Sequence, residues 1–290
     1  MAECMFDTPA TAIEAFRQFA RMVCPFGLYG MFAGILDWIV TAWKEGIPLC
    51  IRLVWIAHNA QPPRTPYTLH LRSLPGPFTI RKNTSDVHQL TQTVIRQSYG
   101  VMLPETASLI IDAGANIGDT ACWYLNRFPT ARVVAIEPEL SNVMLLRQNV
   151  SIHGNRCVVF ERALWPRPGF LTLHAGAVET AAHVDEVSNR HGATCTGISV
   201  PEILGDLGES EIDILKCDIE GAEEQVFSSD ADVWLRQTKC VYVEVHNQRA
   251  KLAVLSAATR NGFRCHRYRE LYVLSRAPFG GATKLSPTNN

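Results

Sequence analysis

Three short runs in this sequence combine residue types and spacings that could do chemistry. The first is Asp112-Ala113-Gly114-Ala115-Asn116-Ile117-Gly118-Asp119-Thr120, which follows the apolar run Leu109-Ile110-Ile111. It reads as a strand turning into a helix, the place where open α/β sheets bind ligands. Gly114 would let backbone approach a ligand closely, and Gly118 suits tight packing at a helix start. The dinucleotide fingerprint G-x-G-x-x-G is broken, because Asn116 stands at its second glycine. A ligand without a pyrophosphate, such as S-adenosylmethionine, has less need of that glycine, and Asp112 could then lie near its ammonium group. Glu137 closes the next expected strand, 19 residues beyond Gly118. A carboxylate at about 20 residues grips a ribose diol through two acceptor oxygens. With both features in register, the expectation is an adenosine-type cofactor.

The second run is Asp213-Ile214-Leu215-Lys216-Cys217-Asp218-Ile219-Glu220-Gly221-Ala222-Glu223. Strand alternation sets Lys216 and Asp218 on one face, Leu215 and Cys217 on the other. A lysine in an apolar central strand needs a charged partner, for which Asp218 and Glu220 are nearest in sequence. The third run is Val241-Tyr242-Val243-Glu244-Val245-His246, with Glu244 and His246 on one face at a strand end. Such a pair suits a base and its orienting carboxylate, or two ligands of a hard divalent cation held loosely through water. A reaction that removes a proton from an acceptor group needs a base. His246 or Asp218 is the expected base, with Glu244 orienting His246 and Lys216 setting the charge of Asp218.

These runs have to be carried by a scaffold. From residue 108 onward apolar strands alternate with amphipathic helices, which predicts a parallel sheet covered on both faces. Phe263–Arg267 and Glu270–Ser275, linked by a short turn, must pair antiparallel. Upstream, Tyr67–Arg72 and Phe78–Arg81 around Pro75-Gly76-Pro77 predict a hairpin. Ser85 or Asp86 is expected to cap a helix reaching about Gln97. Ser199 and Glu202 form a capping-box pattern for a helix from Val200 to Leu207. Residues 175–198 lack a clear period and are expected to be a surface excursion.

Gln61-Pro62-Pro63-Arg64-Thr65-Pro66 marks a boundary. It divides an apolar helical segment, 1–60, from a main domain, 61–276, with its hairpin and helix at 67–98 and its core at 105–276. The Gly/Pro/Asn-rich tail 277–290 reads as unstructured. Met22–Trp43 carries only Asp37 as a charge. That is long enough to span a bilayer, but its glycines, Pro25 and the central acid favour helices packed on the domain or on a membrane surface through residues 22–57. The whole chain is 290 residues and 47% hydrophobic, which excludes wholesale disorder. Its 27 Lys+Arg against 28 Asp+Glu leave no basic footprint for nucleic acid. Nine scattered cysteines without C-x-x-C, and no secretory signal pattern at Met1–Asp7, point to thiols in a reducing, cytoplasmic setting, membrane association aside.

The strings D-A-G-A-N-I-G-D-T (112–120), I-E-P (136–138), D-I-L-K-C-D-I-E-G-A-E (213–223) and V-E-V-H (243–246) resemble the FkbM family of S-adenosylmethionine-dependent methyltransferases. The likeness runs over about 67–275, including R-K-N-T-S-D (81–86) and Tyr99-Gly100. It implies an α/β fold with a class I methyltransferase, Rossmann-like sheet and an antiparallel last strand, preceded by a β-hairpin and N-terminal helices. It also implies O-methylation of a sugar, glycan, polyketide or related metabolite. By position, Asp112, Gly114, Ala115, Asn116, Gly118 and Glu137 would hold the cofactor. Arg162 and Ala163 would border the adenine, and Tyr99 would close the methionine end. Asp218, Glu220, Glu244 and His246 would face the acceptor. Cys217 stands where a β-branched residue is usual. Two alternatives stay open: a nicotinamide oxidoreductase, disfavoured by the broken glycine pattern and the lack of Tyr-x-x-x-Lys, and a membrane-anchored methyltransferase acting on a lipid-linked glycan.

Overall fold

The computed structural model describes residues 39–174, 183–186, 193–228 and 230–276. Residues 39–45 are helical, and a second helix follows as α1 (Ile47–His58), after Gly46 at φ 94°. The hairpin is β1 (Pro66–His70) with β2 (Pro77–Arg81), antiparallel as its alternation predicts. Beyond it come α2 (Asp86–Leu90), β3 (Leu109–Ala113), α3 (Asp119–Arg127), β4 (Arg132–Ile136), α4 (Leu140–Val150) and β5 (Cys157–Phe160). Then β6 (Ala163–Leu164), β7 (Gly169–His174), β8 (His183–Glu186) and β9 (Ala193–Ile198) lead to α5 (Val200–Leu207) and β10 (Ile212–Cys217). The chain finishes with α6 (Glu223–Val226), α7 (Ala231–Leu235), β11 (Thr238–Glu244), α8 (Gln248–Arg260), β12 (Arg264–Tyr268) and β13 (Leu271–Ser275).

Seven strands form one sheet in the order β12-β13-β11-β10-β3-β4-β5, and β13 alone runs against the rest. This is the Rossmann-like sheet with an antiparallel last strand. Strand alternation divides the core in two. Ile110, Val133, Ile214 and Tyr242 face one layer, packed with α3 and α4. Ile111, Val134, Leu215 and Val243 face the other, against α5, α7 and α8. Chain order reverses between β3 and β10, so a crevice opens there at the carboxyl ends of the strands.

Two local expectations are corrected. The helix after Asp86 does not run on regularly to Gln97: it passes into a π-turn at Thr91–Ile95, and Gln97 takes the left-handed φ of 57°. Ser85 makes no side-chain cap, and Asp86 is buried against Arg81 instead. The stretch 175–198 is not all excursion, since β8 and β9 join β6 and β7 in a second sheet ordered β6-β9-β7-β8. The ladder from β9 to β7 supplies an order that local sequence did not announce. The rest of that stretch, most of Met22–Trp43 and the tail 277–290 lie outside the described residues. Ser199 and Glu202 make the expected reciprocal cap.

Candidate active site

The turn after β3 is built by close approach. Gly114 has φ +74°, and a Cβ there would sit 1.7 Å from the backbone oxygen of Asp218. No side chain fits, so glycine is required for β3 and β10 to end side by side. Gly118, at φ +89°, would put a Cβ 2.7 Å from Leu146 Cδ1, which explains its role in seating α3 on α4. Asn116 is itself left-handed at φ 48°, a conformation Asn tolerates better than most residues.

Beneath this turn lies Lys216, whose register partner is Asp112. Its Nζ donates to the carbonyls of Gly114 at 2.7 Å and Ala113 at 3.4 Å, and pairs with Asp112 Oδ1 at 3.3 Å and Asp218 Oδ2 at 3.8 Å. Burial favours the neutral amine, but Asp112, Asp218 and Asp119 outweigh it and hold Lys216 charged, above the ordinary lysine range. Burial pushes Asp112 up to about 6 although Lys216 pulls against it. The nearest partner of Lys216 is therefore Asp112, not Asp218 or Glu220. Asp112 is fully buried beneath the turn and is not among the residues lining the crevice, and its two carboxylate oxygens accept no hydrogen bond there.

Glu137 projects from the end of β4 and is nearly buried. Its Oε2 accepts from the Asn116 amide at 2.9 Å, and its Oε1 from the Glu139 amide at 3.0 Å and Asn142 Nδ2 at 3.2 Å. Burial raises its pKa, and these bonds draw it back. Three donors occupy three of a carboxylate's roughly four acceptor sites, fixing its orientation while leaving capacity for a hydroxyl. Asn142 also accepts from Arg81, which is held at 2.9 Å by Asp86, so R-K-N-T-S-D is tied through α4 to the glycine turn.

Two cavities meet here. One is lined by Gly114, Asn116, Glu137, Asn142, Ala163 and Lys216, among others. The other is lined by Gln92, Glu244, His246, Arg267, Tyr268 and neighbouring residues. Tyr99, Asp218, Glu220, Gln89 and Thr93 line both and form the shared wall. The Tyr99 hydroxyl donates to Asp218 Oδ2 at 3.3 Å and Glu244 Oε2 at 3.5 Å. Burial and those two carboxylates keep this phenol well above its usual pKa, and hence a donor. Ala115 is buried and Arg162 half-buried, and neither lines a cavity; Gly118 acts through packing.

His246 is surrounded by carboxylates. Its Nε2 lies 3.4 Å from Asp218 Oδ1 and 3.4 Å from Glu220 Oε2, and its Nδ1 lies 2.8 Å from Glu223 Oε1. Burial works against the charged ring, but the Glu223 contact and the charges of Glu223, Asp218 and Glu220 push His246 up to about 9. Burial, with the charge of Asp218, pushes Glu244 up to about 7. The orienting partner is thus Glu223, fully buried on α6, rather than Glu244, which faces Tyr99. Glu223 closes the second run and opens the short helix α6, and its place there is the signal the sequence offers. Asn142 gave none. Glu220 reaches the site on a left-handed backbone at φ 54°. The described cysteines are free thiols; Cys217 is buried as packing, and Cys265 is exposed.

An α/β sheet whose carboxyl-end crevice joins a glycine turn, a hydrogen-bonded carboxylate at the end of β4 and a histidine set among carboxylates has the class I methyltransferase architecture. Residues 112–269 match the methyltransferase FkbM domain model, more than half of the chain, and the protein belongs to that family. The family is one of methyltransferases, and it implies use of S-adenosylmethionine. Over 188 residues the chain is 26% identical to the AMB antimetabolite synthetase AmbE of Pseudomonas aeruginosa, covering 52% of this chain but 9% of that protein. Among solved structures, a precorrin-6y C5,15-methyltransferase from Geobacter metallireducens GS-15 aligns with TM-score 0.37 and 13% identity, over 59% of this chain and 79% of the other. The StiE O-MT segment aligns with TM-score 0.32 and 10% identity, over 55% and 46%.

The residues present fit the cofactor the family implies. The Gly114 cradle excludes any Cβ, and Glu137 retains acceptor capacity on the cavity wall.

Proposed function

We propose that this protein transfers a methyl group from S-adenosylmethionine to a hydroxyl oxygen of a sugar, glycan, polyketide or related metabolite. The observation that carries this reading is the shared wall, where Asp218 and Tyr99 separate the glycine-turn cavity from one holding His246. When bound, the cofactor supplies an electrophilic methyl group. Glu137 and the Asn116 turn orient its nucleoside end. Lys216 holds the carbonyls of the turn in place. The acceptor oxygen gives its proton to His246 Nε2, while Glu223 steadies the opposite ring nitrogen. Asp218 is the alternative base. A second cavity with four carboxylates, two arginines and side-chain amides favours a hydrophilic acceptor. Free thiols at the described cysteines support a reducing, cytoplasmic setting.

His246→Ala is expected to lower kcat roughly 10²–10⁴-fold with cofactor affinity unchanged. Unimpaired turnover in both His246→Ala and Asp218→Asn would remove the base assignment. A second reading has one observation behind it: donor atoms of Asp218, Glu220 and His246 lie within 4.8 Å of one another, close enough for a divalent cation. Loss of turnover on chelation, restored by Mg²⁺, would favour that reading over a free histidine base.

A further inference from the structure

Helix α1 is apolar on both sides. Leu49, Leu53 and Ile56 are buried in the same cluster as Leu69, Phe78 and Ile80 of the hairpin. On the opposite side Ile47, Ile51, Val54 and Trp55, at i, i+4, i+7 and i+8, are between 44% and 65% exposed. Ile39 and Trp43 of the preceding helical residues are exposed as well. A surface helix of a water-soluble domain turns polar residues outward, and one that is apolar all round meets an apolar phase.

Charge gives a second, independent sign. Between residues 39 and 72 the only acid is Glu45, which is buried and accepts hydrogen bonds from Ser73 and the Arg72 amide. The exposed charges of this stretch, Arg52, Arg64 and Arg72, are all positive, and Lys44 is half-buried. Continuity gives a third. The chain reaches Ile39 from Met22–Trp38, a run whose only charge is Asp37.

We propose that this face docks into the headgroup–acyl boundary of an anionic lipid bilayer. Ile47, Ile51, Val54 and Trp55 enter the apolar layer, and Arg52, Arg64 and Arg72 lie at phosphate level. Two other occupants fit less well. Met22–Trp38 has apolar side chains all along its length, so laying it on α1 would leave its own outer side uncovered. A second copy would bring like-charged arginines together. The face is anchored to the domain, because Arg52 donates to the Thr68 carbonyl and Lys82 donates to the carbonyls of Asn59 and Gln61.

The test is flotation of the full chain with vesicles of phosphatidylcholine alone or mixed with phosphatidylglycerol. The expected result is flotation with the mixed vesicles, weakened by salt, and a partition coefficient about tenfold or more lower for the double variant Ile47→Glu/Ile51→Glu. Both positions are exposed, so near-UV circular dichroism of the variant should match the parent. Arg64→Gln/Arg72→Gln should lose the preference for phosphatidylglycerol. A chain that stays at the bottom with both vesicle types, or a double variant that floats like the parent, would overturn the proposal. So would light scattering that shows a dimer without vesicles, turned monomeric by Ile47→Glu/Ile51→Glu, because the face would then belong to a second copy.

Discussion

As the proposed base, His246 also carries the main constraint on the proposed reaction. With its pKa pushed up to about 9, the free protein holds the ring protonated at neutral pH, when a base must be neutral. Raising the pH through about 9 therefore generates the active form, so kcat/KM should climb with pH and level off above that value. Glu223 is the largest source of the upward shift, through its 2.8 Å contact with Nδ1. Glu223→Gln should accordingly move the rising limb down by about one pH unit while lowering the plateau, since the ring is less well oriented. A pH profile that is flat, or one unmoved by Glu223→Gln, would contradict this role. The sequence marked His246 as chemical, but the choice between Glu244 and Glu223 as its partner depends on where α6 packs. Strand alternation reports only which face a residue occupies, and Glu223 comes from outside the strand.

The turn joining β3 to α3 shows what local sequence does fix. Gly114 and Gly118 are identifiable as glycines with a purpose, and each has a positive φ; a Cβ would meet backbone at Gly114 and the Leu146 side chain at Gly118. Gly114→Ala is expected to cost about 3 kcal/mol or more and to abolish cofactor binding, because the β carbon meets the Asp218 backbone, which cannot swing aside as a side chain could. Chemical denaturation of the purified variant measures the first effect and calorimetry the second; native stability in the variant would contradict the packing argument. Asp112 has a partner that local sequence does not announce. Its neighbours in sequence suggested a ligand contact, but its cross-strand neighbour is Lys216, and that pairing belongs to sheet register. The small sheet of β6 to β9 was hidden in the same way, because β9 owes its order to β7.

Across the molecule, the hairpin and α2 are joined to the wall of the glycine-turn cavity by polar contacts that run from Asp86 through Arg81 and Asn142 to Glu137. Replacing the buried Asp86 removes the carboxylate that pairs with Arg81. Asp86→Asn should lower stability by about 3–5 kcal/mol and weaken cofactor binding although Asp86 lines neither cavity. Thermal unfolding and titration of the same preparation would separate the two effects, and an unchanged melting temperature would count against the coupling. The seven-stranded sheet was legible because alternating strands and helices allow few topologies, whereas this coupling rests on long-range contacts that periodicity does not encode. The most direct test is calorimetric titration of S-adenosylmethionine into the wild-type chain and into Glu137→Gln and Glu137→Ala, with thermal unfolding to confirm that each variant is folded. Saturable binding by wild type, weakened roughly 10–100-fold in folded Glu137→Ala and less in Glu137→Gln, is the predicted result. No heat with the wild-type chain, or equal affinity in all three proteins, would contradict the assignment of this crevice to the adenosyl cofactor.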